Sequence, residues 1–371
     1  MANDPNLDFY SLSVNPTPTE PTEPTDGSPS PEPSPDPETV RAARSTASRV
    51  GWGILILCLV WVALSEIIAI VALTLKPEWQ TSTVFLSLAS MVPLYAVALP
   101  VSYLAMRRMP TARPERRIAV DKRLFALLPC AYALMMGGNL LGNTVMGMIS
   151  AATGYSFSSS LEVSLGMPLW LSALLVVVIA PFFEELIFRK LLIDRLLPLG
   201  EFAAVVLTAL LFAIFHFNLY QFFYAGLLGA LLALIYLRTG SFGLCVAMHA
   251  SINFLGGILP TYLMELSHYE ELLAITADPA MSAEALMEFL SANSVGIFLL
   301  FLYLLLMGLL AIVGVVLLIV FRKKLALNRR DGELAPAARN RALFLNPGMI
   351  ALLSFAVLFT VLTLIASATP L

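Results

Sequence analysis

Residues 168–195 read PLWLSALLVVVIAPFFEELIFRKLLIDR. The stretch is apolar and long enough for the ~20 residues that a membrane-crossing helix needs. Yet Glu184, Glu185 and Arg189 stand inside it. Ionisable side chains are costly in a bilayer; where they occur, they face a bundle interior or a water-filled cavity and mark function. Residues four apart share one face of a helix, so Glu185 is placed to pair with Arg189. Glu184 lies ~100° round from Glu185 at 3.6 residues per turn. The two carboxylates therefore have different roles, one neutralised by Arg189 and the other turned to a cavity.

The surrounding chain has the same character. Of its 371 residues, 58% are hydrophobic and 13% charged. The mean hydropathy is +0.83, well outside the range of soluble globular domains. A net charge of −3 gives no footing for nucleic-acid binding. Short alternating segments of the kind that build membrane β-barrels are absent. Nine spans are expected, near 51–75, 84–106, 124–150, 168–195, 202–217, 222–237, 242–259, 294–321 and 348–368, forming an all-α polytopic bundle. The fifth and sixth are short.

Charge supports that count. With the N-terminus placed in the cytoplasm, the inner side receives 21 of the 22 Lys and Arg residues, and Lys76 alone falls outside. Cytoplasmic loops carry such an excess. The loops at 151–167 and 260–293 hold no Lys or Arg. The first 45 residues differ again: a Pro/Thr/Ser-rich acidic stretch that buries no apolar surface, expected to be a disordered tail. Residues 46–164 then form N-terminal membrane helices, 165–260 a core, 261–293 an external loop, and 294–371 C-terminal membrane helices. Cys58, Cys130 and Cys245 stand singly and read as packing residues. Gly138/Gly142 and Gly226/Gly229 mark close helix approaches.

Two further motifs accompany the first. Phe212 precedes His216 by four residues, and His249 precedes Asn253 by four. Phe212 covers the same face as His216 and would wall it from lipid. At 1.5 Å per residue Glu184 lies ~15 Å from Asp194 and His249 ~16 Å from Arg238, while His216, ~22 Å from Glu201, lies deeper. The three helices can thus gather their polar groups near mid-membrane. A carboxylate, two imidazoles and an amide suit the activation of water for attack on a carbonyl.

The ordered set Glu-Glu-x3-Arg, Phe-x3-His and His-x3-Asn resembles the CPBP family. That family holds the type II CAAX prenyl endopeptidases (Ras-converting type) and the bacteriocin-processing or immunity proteins. The resemblance implies an intramembrane endopeptidase. Glu184 would activate water with His216 assisting, His249 and Asn253 would stabilise the oxyanion, and Arg189 would hold Glu185, with Phe212 alongside. Metal-dependent and glutamate-dependent mechanisms are both open; zinc would take Glu184, His216 and His249. The substrate would be a peptide or prenylated protein reached within the lipid bilayer, cut by C-terminal processing or leader-peptide removal, in a bacterial plasma membrane. Two other classes use the same cluster: a proton- or ion-coupled transporter, and a proteolytically silent scaffold or immunity protein.

Overall fold

The computed structural model describes residues 36–120, 122–157, 167–278, 281–323, 325–328 and 333–370. The expected tail falls largely on residues 1–35, outside the described residues. The first helix, α1 (Pro37–Leu75), begins well before residue 51 and takes in residues 37–45. Local chemistry sets this start. Asp36 accepts the backbone N–H groups of Glu38 and Thr39, and Pro37 occupies the first helical turn, where its missing N–H costs nothing. Ala43, Ala47 and Val50 continue the buried face beyond the apolar run.

Seven more helices are long and apolar enough to cross a membrane. They are α2 (Thr83–Met106), α3 (Leu124–Thr153), α4 (Leu169–Leu199), α6 (Leu219–Thr239), α7 (Phe242–Leu266), α10 (Ser294–Phe321) and α12 (Pro347–Ala366). The molecule is a polytopic helical membrane bundle. Its surface agrees: α10 exposes Val295, Phe298, Phe301, Leu304, Leu305 and Ile312, an apolar surface that lipid, not water, would cover. Between α7 and α10 lie two short helices, α8 (Tyr269–Ala277) and α9 (Ala283–Ala292); α11 (Pro336–Phe344) precedes α12.

The expected fifth span is α5 (Glu201–Phe215), only 15 residues long. At 1.5 Å per residue it is ~22 Å long, short of the ~30 Å hydrocarbon layer. It stops because Phe217 adopts φ 47°, a left-handed conformation costing on the order of 1–3 kcal/mol for a bulky residue. Asn218 then caps α6 by accepting the N–H of Tyr220 at 2.9 Å. Helices α5 and α6 thus form a tight hairpin with His216 at its tip.

Helix α6 packs against both α5 and α3. A Cβ at Gly138 or Gly142 would strike the backbone of Tyr224 or Tyr220, so those two positions let α3 approach closely. The segments that follow α3 and α12 meet in a two-stranded antiparallel pair, β1 (Tyr155–Phe157) with β2 (Ala368–Pro370), Ser156 opposite Thr369.

Candidate active site

Helix α4 is irregular where it matters. Its stretches Ala173–Ile179 and Leu186–Ile193 are π-helical, and Ala180–Glu185 between them is α-helical. Wide π turns insert an extra residue and recur at functional sites. Pro181 supplies a cause: it has no N–H to give back to the preceding turn. Five residues earlier, the carbonyl of Val176 instead accepts Asn253 Nδ2 of α7 at 2.9 Å. Helix α7 turns π-helical directly after Asn253, at Phe254–Ile258.

Glu185 and Arg189 are fully buried. Arg189 donates from Nε to Glu185 Oε2 at 2.6 Å and from Nη2 to Oε1 at 3.2 Å. This is the fork geometry that makes guanidinium–carboxylate pairs strong. Glu185 Oε1 also faces His249 Nδ1 at 3.0 Å. A carboxylate only accepts, so Nδ1 of His249 carries a proton. The other ring nitrogen, Nε2, points to Glu184 Oε2 at 3.8 Å, beyond direct hydrogen bonding. Glu184 keeps 13% side-chain exposure.

His216 stands apart from this chain. Its Nδ1 lies 2.8 Å from the carbonyl oxygen of Phe212. A carbonyl only accepts, so Nδ1 is protonated and a neutral ring presents Nε2 as a bare lone pair. Phe212 is not the lipid-facing wall expected from its spacing. It is buried, edge-to-face with His216 at 5.0 Å and with His249 at 5.7 Å. Arg189 lies over the same ring at 5.8 Å. Phe212 is an interior partition against which both imidazoles and the guanidinium are set.

Residues 166–255 match the family model for Type II CAAX prenyl endopeptidase Rce1-like proteins. The match supports a CPBP family intramembrane protease over that segment. No curated protein and no solved structure matched the chain. The matched segment contains Glu184, Glu185, Arg189, Phe212, His216, His249 and Asn253, and supports a CAAX-type intramembrane endopeptidase in general terms. An integral membrane protein acting on peptide substrates follows at the same level.

Several contributors to this site had no signature in the sequence. Tyr95 of α2, outside the matched segment, stacks on Phe183 at 4.5 Å and 15°. Asn253 was expected beside His249; its amide nitrogen reaches back to α4 instead, with one N–H left for another acceptor. Zinc ligation fits only in part. Both imidazoles have Nδ1 engaged and Nε2 free, as metal-binding histidines do, but among the described residues no three His, Cys, Asp or Glu side chains converge. Glu184 and His249 meet as a pair across 3.8 Å, and His216 packs on Phe212. As arranged, the donor set does not form a three-ligand zinc site.

Proposed function

We propose that the chain is an intramembrane endopeptidase that hydrolyses a peptide bond of a membrane-associated substrate, a CAAX-type prenylated C-terminus being the favoured class, by glutamate-activated water. The observation that carries this reading is the relay Arg189–Glu185–His249, which aims His249 Nε2 at the partly exposed Glu184. Buried Glu185 does for His249 what an orienting carboxylate does in any base–orienter pair: it fixes the tautomer and steadies the ring when charged.

The reaction runs through this chain's own groups. Glu184 takes a proton from water, and the bare Nε2 of His216 accepts the hydrogen bond of the water's second proton. The hydroxide equivalent attacks the scissile carbonyl. Charge develops on the carbonyl oxygen, which receives Nε2–H of His249, acting here with a proton on each ring nitrogen, and the spare N–H of Asn253. Donors aimed at such an oxyanion in a dry site are worth far more than in water. Glu184 then returns its proton to the leaving amide nitrogen as the C–N bond breaks. No step is routed through a metal.

Purified protein in lipid nanodiscs with a fluorogenic prenylated peptide tests this. Glu184→Ala and His216→Ala should each remove most of the hydrolysis. Because groups acting on one water are grossly non-additive, the double variant should be little worse than either single. Multiplicative losses would refute the shared water. Full activity after Glu184→Ala would refute the protease reading and return attention to proton-coupled flux or a silent scaffold. The same reading places the N-terminus and the basic loop 107–123 in the cytoplasm of a bacterial cell and 260–293 outside. Cysteine labelling of intact cells at 275 but not 115 is the expected pattern.

A further inference from the structure

His216 is the candidate reacting group that sits where a helix stops. The residues on either side of it are gripped from outside the matched segment. Trp61 of α1 packs on Phe215 at 5.3 Å and on Phe217 at 6.0 Å. Trp61 is itself tethered, donating Nε1–H to the carbonyl of Ser90 on α2 at 3.0 Å. From α12, Phe359 meets the Phe217 ring at 4.8 Å and Phe355 meets it at 6.0 Å, both edge-to-face. Phe355 and Phe359 are stacked on each other at 5.7 Å. Thr363 Oγ1 lies 3.2 Å from the carbonyl oxygen of Phe217 and 2.9 Å from that of Thr360, sharing one proton between them.

Phe217 holds φ 47° without the freedom of a glycine. Such a conformer persists only where its surroundings over-determine it, and an observed outlier of this kind beside a reacting group points to function. Here the surroundings are three aromatic rings from α1 and α12, helices that the matched segment 166–255 does not include. We propose that Phe217 is a positioning residue: its ring, clamped by Trp61, Phe355 and Phe359, holds the left-handed turn that fixes the His216 imidazole with Nδ1–H on Phe212 and Nε2 bare. The flanking helices thereby set the reactive face of the core. This rests on the reading of His216 as a proton acceptor for the attacking water.

The logic is directional. Loosening the clamp lets residue 217 relax to negative φ, which turns the chain at its junction with His216. Nδ1 then leaves the Phe212 carbonyl, and the ring samples both tautomers. Substrate contacts are untouched, so KM should hold while kcat falls.

Phe359→Leu, which alters the clamp and none of the reacting groups, is the test variant, with Phe359→Tyr as the conservative rescue. Misplacement of a catalytic group by ~1 Å costs about 100-fold; a partial loosening should lower kcat roughly tenfold with KM within about twofold, and the tyrosine variant should restore it. The chain has 3 histidines, so 15N-histidine NMR in nanodiscs resolves them, and His216→Gln identifies the resonance in question. Wild type should show one Nδ1–H tautomer, and Phe359→Leu a mixture. If Phe359→Leu does not accumulate as folded protein, Trp61→Phe is measured in its place. A lowered Tm with unchanged kcat and a single tautomer would mean that the clamp is only packing, and would overturn the proposal. Should wild type hydrolyse nothing, the protease reading falls, while the tautomer measurement still decides the clamp: averaging in Phe359→Leu supports it, a single tautomer overturns it.

Discussion

Two buried carboxylates divide this molecule between chemistry and construction. Glu201, at the start of α5, is 2% exposed and accepts four hydrogen bonds. Arg117 donates at 3.1 Å, Arg238 at 2.9 and 3.0 Å, and the backbone N–H of Asn328 at 2.9 Å. One carboxylate thus ties the loop that carries Arg117, the end of α6 and the chain after α10. Glu184 faces His249 across 3.8 Å and keeps part of its surface open. Glu185, between these extremes, is saturated by Arg189 and His249. A carboxylate with every lone pair engaged is a joint. One with unused capacity beside an oriented imidazole is a reagent.

The sharpest way to break that contrast is Glu184→Gln. It preserves shape and burial but removes the proton acceptor. Acid–base catalysis by one positioned group is worth ~10²–10⁴-fold, so kcat should fall by that order while Tm stays within a degree or two of wild type. A variant that melted far below wild type would make Glu184 a joint as well.

Arg189→Ala comes next, because it attacks the saturated member of the cluster. Removing one partner of a buried pair strands the other charge, at ~3–5 kcal/mol. Glu185 then no longer steadies His249, so stability and kcat should fall together. Urea denaturation in detergent alongside the peptide assay reads both. Loss of activity with unchanged stability would show that the relay carries no structural load.

Glu201→Ala should do the reverse. Its partner Arg117 is about a third exposed, so solvent screens part of the loss, and roughly 3 kcal/mol is expected, the low end for a buried pair. The folded fraction should retain wild-type kcat. A kcat loss matching that of Glu184→Gln would erase the distinction between joint and reagent.

The sequence announced the bundle well and the site only along single helices. Each of the nine expected spans overlays a helix, and α5 is as short as its apolar run suggested. Hydropathy reports length in lipid, and that signal is local. It missed the start of α1, because Asp36 capping and the small buried residues Ala43 and Ala47 do not register as apolar mass. Glu185 with Arg189 follows from four-residue spacing. Glu185 with His249 does not, since the partners are 64 residues apart and meet only through helix packing. The π-helical turns were equally invisible: each shifts the face of every later residue, and period counting assumes that none occurs. Nor does spacing along one helix announce that Asn253 reaches Val176 or that Tyr95, which belongs to no motif, ends against Phe183.

The smallest effect is expected at the remaining histidine, and it sharpens the comparison by setting its floor. His268 lies between α7 and α8 with a side chain 58% exposed, 3.7 Å from Glu271, itself 61% exposed. A solvated pair of that kind contributes little, because water screens the charges and both side chains must be ordered to meet. His268 also holds φ 50°, but alanine has a Cβ too and would inherit the same strain. His268→Ala should therefore move stability by no more than about 0.5 kcal/mol, and kcat not measurably. A tenfold activity loss there would mean that histidines matter in this chain regardless of burial and tautomer, and the case for His216 and His249 as reagents would lose its geometric basis.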